Sequence, residues 1–153
     1  MIDVEKFESL RKSHDYVYIA VEAQEGIALG VPGEDAEGVM DQLEFLSAVR
    51  QGERPELGKK VAVIGGGNSA MDAARTAKPL VGPDEEVSVL YRRTRQEMPA
   101  APEEVQAFLD EDVKLVELTT PECMLIEGGR VKTNVCYRME LGETDASGRP
   151  RPI

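Results

Sequence analysis

Three small residues carry the clearest chemical signal in this chain. Gly65, Gly67 and Ala70 stand in the spacing Gly-x-Gly-x-x-Ala, inside the run Gly65-Gly66-Gly67-Asn68-Ser69-Ala70. At that spacing the first glycine permits a tight turn and the second lets backbone approach a pyrophosphate. The third small residue lets a helix pack closely on a strand. Amides at the start of that helix then face the phosphates, helped by the helix dipole. A second cluster follows about twenty-five residues on, where Tyr91-Arg92-Arg93-Thr94-Arg95 stands in place of an acid that would hold a ribose 2′-hydroxyl. Guanidinium groups suit a 2′-phosphate, which they can bind through charge-assisted, bidentate hydrogen bonds. Together the clusters predict a site for NADPH, with Gly65, Gly66, Gly67, Asn68, Ser69, Ala70, Arg92 and Arg93 as its binding residues.

The elements needed to position these residues can be read around them. Lys60-Val61-Ala62-Val63-Ile64 is a continuous apolar strand leading straight into the glycines, and the helix after them starts with Asn68 as a good N-cap. Its small face, Ala70, Ala73, Ala74 and Ala77, allows a close approach to a sheet, and Pro79 must end or kink it. Val87 to Tyr91 is a second strand, so Val61 to Tyr91 forms one strand–helix–strand crossover of the right-handed parallel kind. Pro102 opens a further helix, with Glu103 and Glu104 in its first turn and Val105, Phe108 and Leu109 facing inward. Val113 to Leu118 is a third parallel strand. Beyond it, Glu122 to Ile126 and Val131 to Leu141 read as strands about the turn Glu127-Gly128-Gly129-Arg130, and Asp145 to Arg149 as a second hairpin turn.

Upstream, Asp3 caps a short helix bearing Val4, Phe7 and Leu10, and Tyr16 to Val21 reads as a buried strand. Glu22 to Gly38 is loop. Met40, Leu43, Leu46 and Val49 recur at helical spacing ahead of Gly52, a left-handed C-cap. The predicted fold is α/β: a Rossmann-like, three-layer parallel sheet with an antiparallel hairpin insertion. Residues 1–38 are expected to form a domain junction, and 39–153 a nucleotide-binding domain truncated within its last hairpin, as a piece of a longer protein would be.

Composition narrows the partners. A net charge of −11 over 153 residues repels polyanions, so neither nucleic acid nor an anionic membrane is expected, and an anionic ligand needs a local basic cluster. No apolar run reaches the length of a membrane span, and the start lacks a signal peptide's order, which places the chain in the cytoplasm. Cys123 and Cys136, thirteen positions apart, and a single histidine make no metal-ligand pattern. The two cysteines are expected as half-buried packing residues on adjacent strands, and His14 as a surface residue. Asp72 is expected either to pair with Arg75 or nearby amides or to serve near the nicotinamide. No side chain is assigned acid–base work.

The series Val63-Ile64-Gly65-Gly66-Gly67-Asn68-Ser69-Ala70-Met71-Asp72-Ala73-Ala74-Arg75, then Tyr91-Arg92-Arg93 and Glu97-Met98-Pro99-Ala100, resembles the small subunit of bacterial NADPH-dependent glutamate synthase. Dihydropyrimidine dehydrogenase carries a related domain. The likeness extends to Pro102-Glu103-Glu104-Val105, Arg138-Met139-Glu140-Leu141-Gly142 and, upstream, Leu29-Gly30-Val31-Pro32-Gly33-Glu34-Asp35. It implies that NADPH held here gives hydride to FAD on an adjoining domain of the same protein, with iron–sulfur clusters carrying electrons onward and a large catalytic subunit as a further partner. Two departures stand out. Glu22 replaces a glycine of the family's Ala-x-Gly-Ala signature on the flavin side, and Lys78 to Pro83 replaces a smoother helix end. Two rival readings are a non-catalytic NAD(P)-sensing module and another Rossmann enzyme such as a methyltransferase. The latter is disfavoured because arginines stand where an acid should hold ribose hydroxyls.

Overall fold

A computed structural model describes residues 2–20 and 26–153. At its centre the strands β1 (Lys60–Ile64), β2 (Glu86–Leu90) and β3 (Lys114–Val116) form a parallel sheet in the order β1-β2-β3. Val61 lies beside Val87, and Val63 beside Val89, which in turn lies beside Leu115. The crossover helices are α3 (Asn68–Ala77) and α4 (Pro102–Asp110). Helix α3 packs against β1, β2, α4 and α2 (Gln42–Arg50). Its alanine face is what allows this. Ala70, Ala73, Ala74 and Ala77 are all buried with Met71, and the core they form closes on Val87, Val89 and Phe108.

Local sequence accounts for most element ends. Pro102 occupies the first turn of α4, where its missing N–H leaves no hydrogen bond unmade. Helix α3 stops at Ala77 and a single 3₁₀ turn, Lys78–Leu80, contains Pro79. Gly52 follows α2 with φ +89°, the left-handed conformation expected there. Asp41 caps α2 by accepting from the amides of Leu43 and Glu44, so Met40 lies outside the helix and half-exposed, and Phe45 is the residue α2 buries.

The antiparallel part comprises β4 (Thr119–Glu127) with β5 (Arg130–Arg138), and β6 (Leu141–Thr144) with β7 (Pro150–Pro152). Both hairpin turns fall where the sequence predicts them. The expected strand Val131 to Leu141 is divided, however. The Met139 amide turns to the carbonyl of Leu118 and the Glu140 amide to that of Ile153, so the chain changes partners between β5 and β6. Leu118 holds φ +52°, an unusual value for a branched side chain, and it reverses the chain between β3 and β4.

The upstream segment departs furthest from expectation. Helix α1 (Val4–Ser13) is capped by Asp3, whose carboxylate accepts from the Lys6 amide at 2.8 Å, yet it buries none of its residues. Residues 16–20 form no strand, and Tyr16 and Tyr18 are each 92% exposed. Alternation of apolar residues sets up a strand, but a ladder partner makes one, and no described residue pairs with this segment. Val21 and Glu22 lie outside the described residues. Among the described residues no helix is long and apolar enough to cross a membrane.

Candidate functional site

The carboxyl ends of β1 and β2 bring the two sequence clusters together. The Gly65 amide donates to the carbonyl of Leu90 at 3.0 Å, so the glycine turn begins beside the end of the second strand. Gly65 has φ +140°, open only to glycine, and a side-chain carbon there would approach the methyl of Ala70 at 3.4 Å. Ala70 therefore supplies the small third position of the fingerprint. A Cβ at Gly67 would meet nothing within 4 Å. The space in front of Gly67 is open, and α3 begins there.

Gly66 has a different role. A Cβ on it would lie 2.5 Å from Cε2 of Tyr91, a buried ring whose hydroxyl donates to the carbonyl of Glu97 at 2.8 Å. The turn lies against the ring, and a buried ring cannot easily yield. Gly66→Ala is expected to cost about 1–3 kcal/mol of stability through overpacking, measurable by urea unfolding. A variant as stable as the parent would mean that the turn and Tyr91 are not in this contact.

Asn68 is not the N-cap. Gly67 takes that place with extended backbone, and no side chain caps α3. The carboxamide Oδ1 of Asn68 instead accepts from the amide of Ala101 at 3.1 Å, while the amide of Ala100 donates to the carbonyl of Gly66 at 3.1 Å. These two bonds tie the loop after β2 to the glycine turn. They also leave the first amides of α3, around Asn68 and Ser69, without a side-chain cap to occupy them, the arrangement that favours an anion at a helix N-terminus.

The structure separates the two arginines. Arg92 is exposed and makes no ion pair among the described residues. The Arg93 side chain is only 3% exposed; its Nη2 donates to Asp145 Oδ2 at 2.7 Å and its Nε to the carbonyl of Pro150 at 2.6 Å. Asp145 is the residue that sequence reasoning missed. It lies 52 positions downstream and reaches Arg93 only because the β6–β7 hairpin folds back over the end of β2. Arg95 extends to Gln106, and its amide donates to Glu117.

Asp145 is held down to about 2, first by the Ser147 hydroxyl and then by the Ser147 amide, with a smaller contribution from Arg93. A carboxylate whose folded pKa lies below its unfolded value of 3.8 adds stability that is fully present above the unfolded value. That stability is lost as pH falls toward 2. The Asp145–Gly148 turn is therefore expected to loosen between about pH 4 and pH 2, and its contribution to hold steady above that. Proton exchange at the Ser147 amide, followed by NMR, checks this; unchanged protection down to pH 2 would remove Asp145 as the clamp.

Other candidates take structural places. Arg75 pairs with Glu104 at 2.9 Å and Glu111 at 2.7 Å, joining α3 to α4, so Asp72 stands exposed without it. Glu103 and Glu104 fall in the first turn of α4 as expected. Cys123 and Cys136 are half-buried on β4 and β5, and burial pushes the Cys136 thiol up. His14 is exposed beside Ser13. No group of potential metal ligands occurs among the described residues.

A glycine turn between parallel strands, leading into an uncapped helix, defines a Rossmann-type α/β domain. Its fold is shared with FprA of Mycobacterium tuberculosis, solved in complex with NADPH, at a TM-score of 0.75 and 22% identity over 95% of this chain and 47% of that one. The chain belongs to the pyridine nucleotide-disulphide oxidoreductase family, whose model matches residues 5–121. It is 42% identical over 149 residues to the beta subunit of the NADP(+)-dependent formate dehydrogenase of Moorella thermoacetica, covering 95% of this chain and 21% of that protein. It is also 37% identical to a putative glutamate synthase [NADPH] small chain of Cereibacter sphaeroides and 32% identical to the corresponding chain of Escherichia coli. Each match takes in 95% of this chain but only 37% and 33% of those proteins, so the chain spans about a fifth to a third of these curated relatives.

Proposed function

We propose that this chain is the NADPH-binding part of a flavin- and iron–sulfur-dependent oxidoreductase, similar to the glutamate synthase small subunit. One observation carries the reading: the open space before Gly67, at the uncapped start of α3, with exposed Arg92 one strand away. The amides of Gly67, Asn68 and Ser69 would meet the pyrophosphate, Gly65, Gly66 and Ala70 keep the turn close to the sheet, and Arg92 would meet the 2′-phosphate. Arg93 braces the same strand end. The names of the formate dehydrogenase and glutamate synthase relatives, which specify NADP(+) or NADPH, support the choice of coenzyme.

Bound NADPH supplies a hydride. The chain's own residues bind and orient the dinucleotide at the carboxyl ends of the strands, and none acts as acid or base. The sequence holds one Gly-x-Gly-x-x-Ala turn and two cysteines, so FAD is assigned to an adjoining domain and the clusters to other domains or a large catalytic subunit. Residues 1–153 purified alone are expected to be colourless, to bind NADPH in a fluorescence titration, and not to oxidise it when ferricyanide is added. A yellow preparation, or rapid ferricyanide-dependent loss of NADPH absorbance, would place a complete enzyme in these residues. Absence of NADPH binding would remove the reading altogether.

A further inference from the structure

We propose that the cleft between Gln96–Pro99 and Ser147–Pro150 receives the adenosine end of the dinucleotide, and that Arg149 joins Arg92 in reading its 2′-phosphate. The proposal rests on the reading of the glycine turn as a pyrophosphate site.

Position is the first argument. In a parallel sheet the adenosine ribose of a dinucleotide lies beyond the end of the second strand. Here that strand ends at Leu90, and the chain runs through Tyr91–Arg95 directly into Gln96–Pro99, one wall of the cleft. This wall is tied to the glycine turn by the bonds from Ala100 and Ala101 to Gly66 and Asn68. A molecule extending from the turn along that loop reaches the cleft.

Arg93 supplies the second argument. Its guanidinium is committed to Asp145 and to the carbonyl of Pro150, and turning it toward a phosphate would leave Asp145 without its cation. What Arg93 does instead is fix the opposite wall, since both of its partners belong to the hairpin that carries Arg149. It is a positioning residue in this arrangement.

Charge at the cleft gives the third. Glu97 lines it and keeps its negative charge, but its Oε2 is turned to the amide of Thr94 at 3.0 Å and the Thr94 hydroxyl at 2.6 Å. Asp145 is occupied by Arg93 and Ser147. Arg149 makes no ion pair among the described residues, and its Nε donates only to the neutral Ser147 Oγ at 3.2 Å. Arg149 is the cation that lines this cleft, and without an ion pair among the described residues it is the group placed to meet an anion. Met98 and Pro99 on one wall and Pro150 on the other offer apolar faces to a flat base. The opening, about 530 Å³, is of a size for a nucleotide.

The test is calorimetric titration of the chain with 2′,5′-ADP and with 5′-AMP, which differ in the 2′-phosphate. Arg149→Ala is expected to weaken 2′,5′-ADP about tenfold or more and to leave 5′-AMP within about twofold, with Arg149→Lys recovering part of the loss. Unchanged affinity for 2′,5′-ADP in Arg149→Ala, or equal losses for both nucleotides, would overturn the assignment. The underlying reading fails separately. If the unaltered chain does not bind NADPH, both fall, whereas if NADPH binding is normal and depends on Gly67 while Arg149→Ala is silent, only the cleft assignment falls.

Discussion

Replacing Gly67 with Val is expected to abolish NADPH binding while leaving the fold intact. Gly67 has φ −90° and ψ 171°, an extended conformation any residue adopts, and a Cβ placed there meets no atom within 4 Å. The variant should therefore fold without strain, its thermal midpoint within about 2–4 °C of the parent. The open space is the one a pyrophosphate must enter to reach the amides of α3. A branched side chain filling it would remove two or more charge-assisted hydrogen bonds of about 1.5–3 kcal/mol each, a loss of about a hundredfold or more in affinity. Fluorescence titration of both proteins measures it. A folded variant that binds NADPH as well as the parent would show that the dinucleotide does not cross this turn.

The second large effect concerns coenzyme choice. Arg92→Ala is expected to weaken NADPH by about tenfold to a hundredfold and to leave NADH nearly unchanged, since only the former carries a phosphate for the guanidinium to meet. Arg92 is exposed and makes no ion pair among the described residues, so its removal should not disturb the fold. Arg93→Ala should behave differently. Removing that guanidinium leaves Asp145, 28% exposed, without its cation, and the main effect should be on stability. Equal weakening of both coenzymes in Arg92→Ala would mean that Arg92 touches some part of the molecule that both share.

Features set by neighbouring residues were legible in the sequence. The strand–glycine–helix unit, the proline start of α4, the left-handed Gly52 and both hairpin turns are each written within a few positions, and the structure has them where the spacing predicts. What escaped depends on residues far apart in the chain. The tie between Arg93 and Asp145 is one such feature, since nothing near Arg93 in the sequence marks Asp145 as its partner. Asn68 has the composition of an N-cap, but its carboxamide serves Ala101, 33 positions on. Tyr16 to Val21 reads as buried because alternation reports a preference for a sheet and is silent about which strand will pair with it. Phe45 was passed over because the neighbouring apolar residues already made a plausible face.

Strand β1 carries a liability along with the glycine turn. In the order β1-β2-β3 it has a ladder partner on one side only among the described residues, so its other side offers the free N–H and C=O groups of a short apolar run, Val61-Ala62-Val63-Ile64. Such an edge is a template for a stranger's strand as much as for a proper neighbour. Lys59 and Lys60 at its entrance are the charges placed to discourage this, and they guard one end only. The element that presents the fingerprint is thus also an open sheet edge at which concentrated protein would stick to itself, and a charge introduced at Ala62 would be the place to look for improved solubility.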